Sequence, residues 1–262
     1  MEERKARHPV PDGLPVLYQD EACAAVGKPA GLLVHPNPRA RERDSVVRRL
    51  ARQFGQKVYN VHRLDRATSG VLLVALDPPS AHRLCQAFRF GEVEKRYHAV
   101  VRGYTDSEGR IERPLRDWEG TETREAVTEY RTLATAELPI PVGPYRTARY
   151  SLVEVRPLTG RTHQIRRHLS GIAHPVVGDT THGDAKHNRM FRERFGIHRL
   201  LLHATELAFT SPATGERVCV RAPLDDAWRR ALEVLGWTGI LEERAGPIAS
   251  GGGSPAPPTF TT

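Results

Sequence analysis

A charged nonapeptide lies between two apolar runs. Val58-Tyr59-Asn60-Val61 leads in, His62-Arg63-Leu64-Asp65-Arg66-Ala67-Thr68-Ser69-Gly70 follows, and Val71-Leu72-Leu73-Val74-Ala75-Leu76 leads out. Both apolar runs read as strands. A polar segment carried between two strands reads as a loop on a rigid scaffold, where functional side chains tend to sit. Asp65 stands there among arginines. On its own this is either a solvated surface turn or a working carboxylate.

The flanking sequence supplies elements to build around it. Leu14–Glu21 and Ala22–Val26 read as a hairpin about an acidic turn. Gly27-Lys28-Pro29-Ala30-Gly31 fixes a turn, with Lys28 either facing a phosphate or solvated. Ser45–Phe54 has helical apolar spacing at Val46, Val47, Leu50 and Phe54. Pro78–Phe90 predicts a second helix with proline in its first turn. Glu94–Gly103 alternates as a strand, Gly109–Tyr150 is β-rich, and Tyr150–Val155 is a further strand. Thr159-Gly160 then breaks the chain into a helix over Arg161–Leu169. Arg199–Ala204 and Thr205–Phe209 read as a strand pair, and Asp225–Leu235 as a last helix. Residues 1–13 form an expected leader, 14–240 the folded domain, and 241–262 a Gly/Pro/Ser/Thr-rich tail.

Composition narrows the partner. The net charge is +8, and only five of the 39 basic residues are lysine (Lys5, Lys28, Lys57, Lys95, Lys186). Arginine suits bidentate phosphate contacts and stacking on bases, although genomic base composition also enriches it. Residues 161–203 hold eight Lys/Arg against three Asp/Glu, together with seven of the twelve histidines. A basic face within the fold is the expected footprint of a nucleic-acid backbone. Cys23, Cys85 and Cys219 are isolated, which argues against a disulfide framework and a cysteine-rich zinc site. No P-loop, G-x-S-x-G or H-E-x-x-H pattern is present, so neither a metal nor a cofactor is expected. No apolar run approaches the ~20 residues of a membrane span, and the first residues lack a secretory core, so a cytoplasmic protein is expected. Chemistry would then run on side chains, with a carboxylate as nucleophile. Glycoside hydrolysis calls for a second carboxylate, and no acidic motif of similar quality appears.

Five ordered motifs carry a resemblance. His62-Arg63-Leu64-Asp65-Arg66-x-Thr68-Ser69-Gly70 is similar to the signature of the RluA-type pseudouridine synthases. Lys95-Arg96-Tyr97 resembles their second motif. Thr159-Gly160-Arg161-Thr162-His163-Gln164-Ile165-Arg166, followed by His174-Pro175-Val176-Val177-Gly178-Asp179, resembles the third, and Arg199-Leu200-Leu201-Leu202-His203-Ala204 the next. The resemblance runs from about Leu14 to Ile240. One departure is Gly27, where the family usually has Asn before Lys-Pro.

The resemblance implies an α+β catalytic domain: a mixed, largely antiparallel sheet flanked by helices, with a central RNA-binding cleft. It implies isomerisation of uridine to pseudouridine without a cofactor, on tRNA first and large-subunit ribosomal RNA second, by a monomer. A non-catalytic RNA-binding module is the reading from another class. Carried over residue by residue, the resemblance makes Asp65 the nucleophile and Tyr97 a contact to sugar or base that can accept a proton. Arg161 would pair with Asp65, and Arg63 would fill the space left by the flipped uridine. His62 and Leu202 join the substrate contacts, Leu202 either packing on the uracil or serving only the core.

Overall fold

A computed structural model of the chain describes residues 13–36, 44–117 and 120–241. The expected leader and tail lie outside the described residues, apart from Gly13 and Leu241 at their edges. In chain order the elements are β1 (Val16–Gln19), β2 (Cys23–Lys28), α1 (Val46–Phe54), β3 (Tyr59–Asn60), β4 (Ser69–Ala75), α2 (Pro78–Phe90), β5 (Glu94–Arg102), β6 (Glu108–Glu112), β7 (Leu115–Arg116), β8 (Thr123–Arg124), β9 (Val127–Leu138), β10 (Ala148–Pro157), α3 (Gln164–Gly171), α4 (Ala185–Phe195), β11 (Leu202–Thr210), β12 (Arg217–Arg221) and α5 (Asp226–Val234).

One sheet runs β1-β2-β4-β11-β5-β10-β9-β6, with β12 on β11 and β3 on β4; β7 and β8 pair separately. Every pairing in the large sheet is antiparallel except β4 with β11. This is the mixed, largely antiparallel sheet of the α+β expectation. All seven residues of β4 are buried, so both faces of this central strand are covered. Its side chains alternate. Leu72 and Val74 join α1 residues Val46 and Leu50 on one side, and Val71, Leu73 and Ala75 join Leu84 of α2 on the other. β10 does the same further along. Tyr150 and Leu152 pack with Phe191 of α4 and Trp228 of α5, whereas Val153 and Val155 pack with Ile165 and Leu169 of α3.

The parallel pairing needs a particular residue. His203 stands opposite Ser69 and Ala204 opposite Gly70. Gly70 has φ +119, and a Cβ there would fall 2.1 Å from the Ala204 carbonyl oxygen. Only glycine admits both that backbone and that approach.

Three sequence expectations change. The helix expected from Arg161 begins at Gln164, with His163 in the left-handed region (φ 54) at its N-cap. The reason is tertiary. Gln164 accepts from Thr159 Oγ1 and the Arg161 N–H, and it donates to Val127 O and Thr128 Oγ1. Those bonds fold residues 159–163 into a turn around its amide. The strand pair expected over Arg199–Phe209 is one strand, β11, with an irregularity between Ala204 and Glu206. Helix α4, absent from the sequence reading, is capped by Asp184 and ended by Gly196.

Candidate active site

The Asp65 loop is pinned from below. Leu64 is buried in the core under α1, so Arg63 and Asp65 on either side of it project outward. Thr68 N–H donates to Asp65 O and Gly31 N–H to Arg66 O, closing the turn. Lys28 is 2% exposed, and its Nζ donates to Pro29 O, Arg66 O and Thr68 O at 2.9, 3.1 and 2.7 Å. Lys28 is therefore a brace for this loop, neither solvated nor facing a phosphate. Burial, with Arg199 nearby, lowers its pKa to about 7.

Asp65 accepts from Arg166 Nη1 at 3.1 Å. The same guanidinium donates through Nε and Nη2 to both oxygens of Asp179, at 2.7 and 2.8 Å. The Asp179 side chain is fully buried and also receives the N–H groups of Thr181 and His182. Burial alone would raise its pKa, but the Arg166 hydrogen bonds and those N–H groups bring it below the usual carboxylate range. Asn188 of α4 locks the segment behind, accepting from Gly178 N–H and donating to Asp179 O. Arg166 is thus a fixed fork, with two prongs held by a buried acid and one offered to Asp65. His163 adds a weaker approach, its Nε2 3.8 Å from Asp65 Oδ2, with Nδ1 3.0 Å from His182 Nε2.

This corrects the expectation for Arg161. Its Nε donates to Glu125 O at 2.9 Å, and the ion pair with Asp65 belongs to Arg166. Once the helix starts at Gln164, Arg166 lies in its first turn facing Asp65, whereas Arg161 lies in the preceding turn.

These residues line one cavity of about 450 Å³, within the range of small-ligand sites. Its wall contains His62, Arg63, Asp65, Tyr97, Arg161 and Leu202, the six positions singled out in the sequence. Lys95, Arg89, His163 and Arg166 join them. Leu202 is 3% exposed, packs with Val153 and Ile165, and forms part of the cavity wall. Burial, then the Asp65 charge, raises the Tyr97 pKa above the ordinary tyrosine value. Tyr97 therefore presents a neutral phenol that holds its proton more tightly than a free tyrosine. His62 stacks on Phe88 at 4.3 Å between centroids, and its Nε2 accepts from Leu73 N–H. It is a strut between loop and α2 as well as a wall residue. Among the described residues Asp65 is the only carboxylate in this lining; the other charged residues there are cations. A lone carboxylate fits nucleophilic attack better than two-carboxylate hydrolysis.

A second polar chain lies beneath the loop. Arg199 donates to Ser69 Oγ at 2.7 Å and pairs with Asp225, and Ser69 Oγ lies 2.7 Å from His203 Nδ1. Burial lowers the His203 pKa to about 4 and the His62 pKa to about 3 from 6.5. Between those values and 6.5 the unfolded chain binds more protons than the folded one. Stability is therefore expected to fall as pH drops from about 6.5 toward 4. Denaturant unfolding at stepped pH checks this, with His203→Gln flattening the slope; an unchanged midpoint across the window would contradict it.

Residues 23–171 match the family described as RNA pseudouridylate synthase. The chain is 46% identical over 235 residues to "tRNA pseudouridine synthase C" of Vibrio cholerae, covering 86% of this chain and 96% of that one. It is 46% identical over 241 residues to the protein of that name from Salmonella typhimurium, covering 88% and 93%. To the Pectobacterium carotovorum protein it is 46% identical over 244 residues, spanning 89% of this chain and 65% of the longer relative. Among solved structures, "Human RNA Pseudouridylate Synthase Domain Containing 1" superposes with a TM-score of 0.67 at 26% identity, covering 88% of this chain and 98% of that one. "Human RNA Pseudouridylate Synthase Domain Containing 4" gives 0.67 at 25% identity, covering 85% and 93%.

Proposed function

The chain belongs to the RNA pseudouridylate synthase family, and on that premise we propose that it isomerises one uridine of tRNA, position 65 in the T-stem beside the acceptor stem, to pseudouridine. The C1′–N1 bond breaks, the uracil turns, C1′–C5 forms, and the C5 proton is lost as N1 gains one. The observation that carries this reading is the lone carboxylate of Asp65, held on the Arg166 fork in a cation-lined cavity. In this reading Asp65 attacks the substrate, and Arg166 orients it and offsets its charge. Tyr97, as a neutral phenol, lies against the sugar or base. Leu202 forms an apolar surface under the uracil. A base within a stem is reached only by flipping, which costs a few kcal/mol. In this reading Arg63, exposed at the cavity rim, fills the gap. In this reading the enzyme works as a monomer and meets its tRNA in the cytoplasm.

The test is pseudouridine mapping after incubation with unmodified tRNA transcripts and with large-subunit ribosomal RNA. One new pseudouridine at tRNA position 65 is the expected result. Modification confined to the ribosomal RNA, or none in either, would reject the assignment.

A further inference from the structure

With Arg166 on Asp65, Arg161 is left for another task, and its neighbour indicates which. Lys95 of β5 and Arg161 of the turn before α3 are both half-buried in the wall of the same cavity. Lys95 Nζ reaches one carbonyl, Thr159 O, at 3.4 Å. Arg161 commits its Nε to Glu125 O and forms no ion pair among the described residues. Elsewhere partly buried arginines find carboxylates: Arg49 with Asp44, Arg102 with Asp184, Arg199 with Asp225. Among the described residues the only carboxylate lining the cavity around Lys95 and Arg161 is Asp65, already taken by Arg166. The cations also act on each other: burial, then the Arg161 charge, lowers the Lys95 pKa to about 8. The first turn of α3 beside them has no acidic residue and no side-chain cap.

Two like charges held together in a half-buried wall, with no counter-ion among the described residues, make a receptor for an anion. We propose that Lys95 and Arg161 jointly seat one backbone phosphate of the RNA next to the flipped nucleotide. This rests on the RNA-modifying reading above. The fit is chemical: a guanidinium fork and a point-charge ammonium approach different oxygens of one tetrahedral group.

The experiment measures affinity of the full chain for an unmodified tRNA transcript across KCl concentrations, for wild type, Lys95→Met, Arg161→Gln and the double variant. Each single change is expected to weaken binding roughly tenfold at low salt and to reduce the slope of log K against log salt by about 0.7–0.9. The double variant is expected to reduce the slope no further, because one phosphate is shared. A neutral methylphosphonate at one linkage flanking the target uridine should weaken binding by wild type and not by the double variant. Wild-type affinity and slope in folded variants, confirmed by circular dichroism, would overturn the proposal. So would a slope loss in the double variant twice that of either single one. Arg161→Gln keeps the test valid if Lys95→Met fails to fold. Wild-type binding without pseudouridine formation would instead reject the isomerase reading and leave this seat standing.

Discussion

Asp65→Asn abolishes pseudouridine formation while leaving RNA affinity within a few fold: this is the largest activity change expected of any single substitution here. Asparagine keeps the shape and removes the nucleophilic oxygen charge, so the single-turnover rate should fall on the order of 10⁴-fold or more. The fold should tolerate it. Leu64 still plugs the loop into the core, and Lys28 still holds the carbonyls of Arg66 and Thr68. Arg166 retains both bonds to Asp179. The cations of the cavity wall are untouched, so binding measured by filter retention stays. A residual rate within tenfold of wild type would remove Asp65 from the chemistry.

Arg166→Met is expected to damage both stability and activity. It strands Asp179, fully buried, with the N–H groups of Thr181 and His182 as its remaining side-chain partners among the described residues. Breaking a buried pair from one side costs about 3–5 kcal/mol, far more than the pair contributes relative to an apolar replacement. Arg166→Lys should not rescue, because an ammonium cannot satisfy two oxygens of Asp179 and still reach Asp65 in fixed geometry. The Arg166→Met, Asp179→Leu double variant separates the two roles. Denaturant unfolding should show much of the stability regained, and the isomerisation rate should stay low because Asp65 has lost its guanidinium. Recovery of activity in that double variant would show that Arg166 serves only the fold.

The boundary between what was legible in the sequence and what was not has a physical cause. β4 and β10 were legible because burial of both faces leaves short, nearly continuous apolar runs that local pattern reports. The Asp65 loop was legible because charge is conspicuous between apolar runs. The choice between Arg161 and Arg166 was not local. It depends on the phase of α3, and that phase is fixed by Gln164 reaching β9 at Val127 and Thr128. The role of Lys28 was hidden for the same reason, since its three carbonyl partners include two from a loop about forty positions later. Helix α4 carries only Met190, Phe191 and Phe195 as large apolar residues in eleven, too few for periodicity to show. Its caps, Asp184 and Gly196, were the signal available.

The carboxylate and its supports are about a hundred positions apart in the chain. Asp65 emerges from the ribosome early, whereas Arg166, Asp179 and the Asn188 lock follow more than a hundred codons later, and β11 with its parallel seat for Gly70 later still. At the usual rates of synthesis that interval is on the order of 10 s. During it the nascent chain carries a carboxylate with no fork to orient it and a central strand with one neighbour missing. The fork is therefore complete only once α4 has been made, and a chain cut short before α4 is expected to form no pseudouridine.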